Sequence, residues 1–114
     1  MKQVLVVRKD LKMTRGKEIA QGAHGSMKAT LENMEDPRVK KWLSGLFTKV
    51  AVSVESEEEL LELQRKAEAA GLINALITDS GLTMFHGVPT NTVLAIGPDT
   101  YENIDAITGH LKLR

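Results

Sequence analysis

A cation, a carboxamide and an imidazole share one face of the first predicted helix. Lys17, Gln21, His24 and Lys28 follow one another at spacings of four, three and four residues, which places them on the same side of an α-helix. A helix face that only meets water usually mixes acids with bases, and this one carries no acid. We therefore expect binding or catalytic groups here, with a purely solvated face as the alternative.

An isolated acid stands at the end of the third predicted strand. Asp79 closes an apolar run, and a Ser-Gly pair follows it. Its carboxylate could accept backbone N–H groups in an Asx turn, or it could face Lys17 in a cleft. In the cleft, the carboxylate can hold or deprotonate water, while the ammonium stabilises an oxyanion or binds phosphate. Thr83, four residues further on, would add a hydroxyl donor.

Several other kinds of site are excluded or unsupported. The chain has no cysteine, which excludes a thiolate nucleophile, a disulfide and a cysteine-ligated zinc. His86 and His110 lack partners at metal-ligand spacing, and the glycines form neither a phosphate-binding P-loop nor a dinucleotide fingerprint. We expect no metal and no organic cofactor.

The charge is unevenly distributed although the formal net charge is zero. Residues 1–17 carry six basic side chains against one acid. We expect Lys9, Lys12 and Arg15 in this segment to contact phosphate groups of a nucleic acid. The sequence has no apolar run of membrane-spanning length, and its first residues are typical of a strand, so a cytoplasmic protein without a membrane partner is expected.

Hydrophobic periodicity and capping residues predict one domain, residues 1–114, with an α/β fold. Valine-rich or alternating segments predict strands at residues 3–8, 47–54, 74–79 and 92–97. Helices are predicted at residues 16–34, at 38–44, between Ser56 and Gly71, and from Pro98-Asp99 onward. This order indicates a sandwich in which helices flank a mixed four-stranded sheet. Its ligands are expected beyond the carboxyl ends of the strands, where Lys17 and Asp79 would lie.

The first predicted helix also carries an apolar stripe at helical spacing. Its members are Ile19, Ala23, Met27, Leu31 and Met34.

Five segments together resemble the archaeal and eukaryotic type of peptidyl-tRNA hydrolase. They are residues 3–13, Gly16-Lys17 with Ala20-Gln21 and His24, Asp79-Ser80-Gly81 with Thr83, residues 92–98 and residues 104–113. The resemblance implies a compact α/β enzyme that hydrolyses the ester joining a peptide to the 3′ end of tRNA, with no known need for a metal or organic cofactor. It implies catalytic roles for Lys17, Asp79 and Thr83, and matches Gln21 and His24 to polar, substrate-binding positions of the helix. It leaves a homodimer open.

The chain departs from that family beside the acid. Ser80, Leu82 and Met84 stand where the family usually has an alanine, a polar or basic residue and a glutamine. A tRNA-binding module of the same fold with little or no turnover is therefore the alternative, and a protein-interaction domain unrelated to RNA is the third.

Overall fold

Strands and helices follow one another in the predicted order in a computed structural model, which describes residues 1–82 and 85–114. The strands are β1 (Lys2–Arg8), β2 (Lys49–Val54), β3 (Asn74–Asp79) and β4 (Thr90–Asp99). The helices are α1 (Arg15–Leu31), α2 (Pro37–Ser44), α3 (Glu57–Ala69) and α4 (Tyr101–Thr108), and a single 3-10 turn, Lys9–Leu11, lies between β1 and α1.

The strands form one mixed sheet in the order β2-β1-β4-β3. β1 and β2 are parallel, and β4 is antiparallel to both β1 and β3. β1, β2 and β3 therefore run in the same direction and end at the same side of the sheet, which we call the carboxyl edge. Arg8, Val54 and Asp79 end their strands there. The predicted mixed sheet is confirmed.

Helices cover both faces of the sheet. Leu60 of α3 and Ile104 of α4 are fully buried on one face. Ala29 of α1 and Val39 of α2 are fully buried on the other. Successive residues of β4 alternate between these two cores, as a strand covered on both sides requires. No helix in the described ranges is both long and apolar enough to cross a membrane.

Each helix begins at a polar residue whose side chain accepts a backbone N–H of the first turn. The caps are Thr14, Asp36, Ser56 and Thr100. The predicted start of the last helix at Pro98-Asp99 is wrong by a few residues, because both residues still belong to β4. Asp99 is instead held by Asn103, whose amide donates to its Oδ1 at 2.7 Å.

The apolar stripe of α1 points away from the core, although such a stripe normally faces inward. The predicted helix, residues 16–34, extends three residues beyond the end of α1 at Leu31, so Met34 lies outside the helix; all five residues of the stripe are exposed. The buried positions of α1 are small or polar: Gln21, Gly22, Gly25, Ser26 and Ala29. A Cβ added at Gly25 would lie 3.2 Å from Val93 Cγ1. The helix thus lies close to the sheet through its small residues, and its large apolar side chains face solvent.

Candidate active site

Lys17 and Asp79 form an ion pair at the carboxyl edge. Lys17 Nζ lies 2.7 Å from Asp79 Oδ1, and their side chains are 17% and 11% exposed. Thr14 places the lysine, because its hydroxyl accepts the Lys17 backbone N–H and fixes the start of α1. The end of β3 places the acid. The pair is partly shielded from water, so it is screened less than a surface ion pair.

The two oxygens of Asp79 have different partners. Oδ1 accepts from Lys17, while Oδ2 accepts the backbone N–H of Gly81 at 2.9 Å. The sequence allowed an Asx turn or a lysine pair, and the structure contains both. Gly81 has a positive φ of 86°, and a Cβ there would lie 2.4 Å from the Val88 carbonyl oxygen. Only glycine fits this turn, which fixes the direction of the carboxylate.

A buried amide connects Asp79 to β4. Gln21 is 4% exposed and its Nε2 lies 3.4 Å from Asp79 Oδ1. The hydroxyl of Thr92, which is fully buried, donates to Gln21 Oε1 at 2.5 Å. With its oxygen engaged by a donor, the amide turns its N–H groups toward the carboxylate. Thr92 therefore orients Gln21, and Gln21 supports Asp79.

These contacts hold Asp79 in its charged form. The hydrogen bond from Lys17 lowers the pKa of the Asp79 carboxyl most, and the backbone N–H of Gly81 lowers it further. Burial raises the pKa, but by less than either hydrogen bond lowers it, and the charges of Lys17 and His24 lower it a little further. Asp79 is accordingly a carboxylate at neutral pH, able to accept a hydrogen bond from water or substrate.

The remaining predicted binding residues lie at different distances from this pair. His24 is exposed on α1 and is near enough to affect the charge of Asp79. Lys12 and Arg15 are exposed at the start of α1, and neither forms an ion pair with any described residue. Lys9 lies 4.0 Å from Glu55 and is partly neutralised by it. Thr83 lies outside the described residues.

The chemistry available is that of a fixed carboxylate beside an ammonium. The described residues contain no group of three His, Asp or Glu side chains that could hold a metal ion. A carboxylate can orient a water molecule, and an ammonium can stabilise the negative charge that develops on a carbonyl oxygen under attack. This combination suits the hydrolysis of an ester.

Comparison with known proteins decides the family. The family model described as Peptidyl-tRNA hydrolase PTH2 matches residues 1–114. The chain belongs to this family. It is 46% identical to the peptidyl-tRNA hydrolase of Methanothermobacter thermautotrophicus, over 99% of each chain. It is 47% identical to that of Thermococcus onnurineus, over 98% of this chain and 96% of the relative. A probable peptidyl-tRNA hydrolase 2 of Dictyostelium discoideum is 42% identical over 98% of this chain and 54% of its own length.

Thr92 is a site residue that the sequence did not predict. Its position in an apolar strand suggested only a sheet residue. In the structure, Ile77 pairs with Val93 and Thr78 pairs with Asn91, so Thr92 is the extra residue of a β-bulge. A bulge redirects a side chain, and this one brings the hydroxyl to Gln21 of α1. No local signal in the sequence marks a bulge here.

Proposed function

We propose that this chain hydrolyses the ester bond between peptide and tRNA in peptidyl-tRNA and so returns the tRNA for reuse. The observation that carries the proposal is the Lys17–Asp79 pair, held at 2.7 Å at the carboxyl edge of a peptidyl-tRNA hydrolase fold. We further propose that residues 1–114 act as one domain in the cytoplasm, where translation releases such substrates.

Asp79 and Lys17 divide the catalytic work. A water molecule bound to Asp79 attacks the ester carbonyl carbon, and the negative charge moves to the carbonyl oxygen. Lys17, the hydroxyl of Thr83 and nearby backbone N–H groups stabilise that oxygen. The carbon–oxygen bond to the ribose then breaks, the ribose oxygen takes up the proton that the water has lost, and the peptide leaves as a carboxylic acid that releases its remaining proton to solvent. Because the pKa of Asp79 is held low, the carboxylate orients water better than it removes a proton.

Gln21 is proposed to position Asp79. Its amide is buried and both ends are engaged inside the protein, by Asp79 and by Thr92. This arrangement favours an orienting role over the direct substrate contact that the resemblance implied. His24, which is exposed one turn further along α1, remains the proposed substrate-binding residue of this face.

The phosphates of the tRNA acceptor end are proposed to bind Lys12 and Arg15. Both are exposed at the start of α1, close in the chain to Lys17. Lys9 is a weaker candidate because a phosphate must compete with Glu55 for it. The zero net charge provides little long-range attraction, so binding depends on these local contacts.

A homodimer is proposed as the assembly. The exposed apolar side chains of α1 include Met27 and Leu31, which are 57% and 59% exposed and would gain from being covered. Sedimentation equilibrium at micromolar concentration tests this directly. A single species with the mass of one 12.5 kDa chain contradicts it.

Substrate discrimination tests the activity. We would compare hydrolysis of an N-acetylated aminoacyl-tRNA with hydrolysis of the same tRNA carrying a free aminoacyl group, each with and without a metal chelator. Cleavage of the acetylated substrate alone, unchanged by the chelator, is expected. Salt-sensitive binding of tRNA without cleavage would instead support the tRNA-binding module.

Replacing the acid tests the mechanism. Asp79→Asn keeps the shape of the side chain but removes its charge, so kcat should fall by about 10²- to 10⁴-fold while tRNA affinity is retained. Asp105→Asn is the matched control, because Asp105 is an exposed aspartate paired with Lys2 outside the proposed site. Unchanged turnover in Asp79→Asn would remove Asp79 from the mechanism.

A further inference from the structure

A second concave surface lies on the other side of α1 from the Lys17–Asp79 pair. This groove has a volume of about 620 Å³ and runs between α1 and the outer part of the sheet. Its lining combines the charged side chains of Arg15, Glu18 and Arg114 with apolar residues, which are Leu5, Val7, Met13, Ile19, Ala23 and Ala51. Ile19 is 67% exposed and Ala51 is also exposed, so the groove opens to solvent.

The groove exists because α1 lies away from the outer strand. Most of its contacts with the sheet are to β4 and β3, which leaves the α1 side of β1 and β2 only partly covered. Gly22 faces Leu5 with no side chain, and Ala51 on β2 carries only a methyl group. Arg114 connects β2 to α1. Its backbone N–H donates to the Ala51 carbonyl oxygen on β2, and its guanidinium pairs with Glu18 on α1.

The groove begins at the same turn of α1 that carries the proposed catalytic lysine. Arg15 lines it, and Lys17 lies two residues further on. The diameter of a helix with its side chains, about 10 Å, separates the two sides. An extended peptide covers about 3.3 Å per residue, so about three residues span that distance. Gly16 leaves room for this path, because a Cβ there would have no described atom within 4 Å outside its immediate neighbours.

We propose that this groove is a subsite for the peptide of the substrate, which takes apolar residues about three to five positions upstream of the ester. The inference rests on the proposed function. The apolar part of the lining suits apolar side chains, while the Glu18–Arg114 pair suits the carbonyl and N–H groups of an extended backbone. The subsite makes the enzyme favour tRNAs that carry several peptide residues over those that carry one.

Substrates of different peptide length test the subsite. One tRNA would carry an N-acetylated single residue, a second an N-acetylated apolar pentapeptide, and a third the same pentapeptide with aspartate at the third to fifth positions from the ester. Burial of apolar side chains predicts a kcat/KM about tenfold higher for the apolar pentapeptide than for either of the others. Equal values for all three would overturn the subsite and leave the proposed hydrolysis standing. Failure to cleave any of them would overturn the proposed function itself.

Variants locate the effect. Ile19→Asp and Ala51→Glu put charges into the groove, so each should remove the tenfold advantage and change kcat/KM for the single-residue substrate by less than twofold. Leu46→Asp is the matched control, since Leu46 is an exposed apolar residue that neither lines the groove nor belongs to the apolar stripe of α1. It should behave like the wild type. Equal losses in Ile19→Asp and Leu46→Asp would overturn the subsite. A loss in Ile19→Asp accompanied by a lower sedimentation coefficient would show that a second copy covers Ile19 and would also overturn the subsite.

Discussion

Asp79 depends on Lys17 for its charge state. The lysine hydrogen bond is the largest cause of the lowered pKa, ahead of the Gly81 N–H. Because the folded-state pKa is below the unfolded value, the stabilisation from this contact is present at neutral pH. It is lost only as the pH falls through the lowered pKa of the folded protein. Both oxygens of the carboxylate are therefore available as acceptors across the physiological range.

Removing the lysine should raise the pKa of Asp79. Lys17→Met takes away the main hydrogen bond and the nearest positive charge, both of which favour the ionised form. A pH titration of the carboxyl carbons by NMR should show Asp79 titrating below 3.8 in the wild type and at a higher pH in the variant. The titration of the Asp99 carboxyl serves as the control and should be the same in the wild type and in the variant. An unchanged Asp79 titration would contradict the assigned pairing.

The hydroxyl of Thr92 should affect turnover through Gln21. Thr92→Val keeps the volume but removes the donor, which leaves Gln21 Oε1 without this partner and frees the amide to turn. We expect kcat to fall by about tenfold with KM unchanged, the size of one lost buried hydrogen bond. Thr92→Ser retains the hydroxyl and should stay close to the wild type in kcat. Equal losses in both variants would indicate a packing role instead.

At the scale of elements, the close contact of α1 with the sheet aligns the two halves of the site. α1 supplies Lys17 and Gln21, whereas β3 supplies Asp79. The contact at Gly25 sets the distance between them, since Val93, Ala95 and Ile77 lie directly beneath it. α1 therefore holds Lys17 at a fixed distance from Asp79.

A larger residue in place of Gly25 should move α1 away from the sheet. Gly25→Leu places a side chain where even a Cβ has 3.2 Å to Val93 Cγ1, so overpacking should lower the free energy of unfolding by about 1–3 kcal/mol. The same shift separates Lys17 from Asp79 and should lower kcat. Urea denaturation and single-turnover hydrolysis measure the two effects. Gly16→Ala, which has open space around its Cβ, is the stability control and should not lower the unfolding free energy.

At the scale of the whole molecule, basic side chains lie near the proposed site although the formal net charge of the chain is zero. Lys12 and Arg15 lie at the start of α1, while α2 carries Lys40 and Lys41 next to the amino ends of β1 and β2. These two pairs of cations lie toward opposite ends of the sheet. Removing either pair changes the net charge equally, so a difference between them reports local contact with RNA.

Salt dependence measures that contact. In Lys12→Ala/Arg15→Ala, the slope of log affinity for tRNA against log salt should decrease by about 1.5, because each phosphate contact contributes about 0.7 to 0.9. KM should rise with little change in kcat. Lys40→Ala/Lys41→Ala should keep the wild-type slope. If the slope decreases equally in both double variants, tRNA binding is governed by long-range charge and not by contact at α1.

Local patterns in the sequence were enough to predict the secondary-structure elements, the mixed sheet and the family. Strand periodicity, capping residues and turn glycines act over a few neighbouring residues, so the predicted α/β fold and the resemblance to peptidyl-tRNA hydrolases are confirmed. The catalytic roles of Lys17, Asp79 and Thr83 stay predictions, although the structure brings the first two to 2.7 Å.

Tertiary packing decided the rest. The bulge that turns Thr92 toward Gln21 arises from the pairing of β3 with β4, and no local pattern reveals the register of that pairing. The outward direction of the apolar stripe follows from the small residues that let α1 approach the sheet, and the groove follows from where α1 ends up across the strands. Periodicity identifies which residues share a face of a helix, but only contact with other elements determines which face is buried.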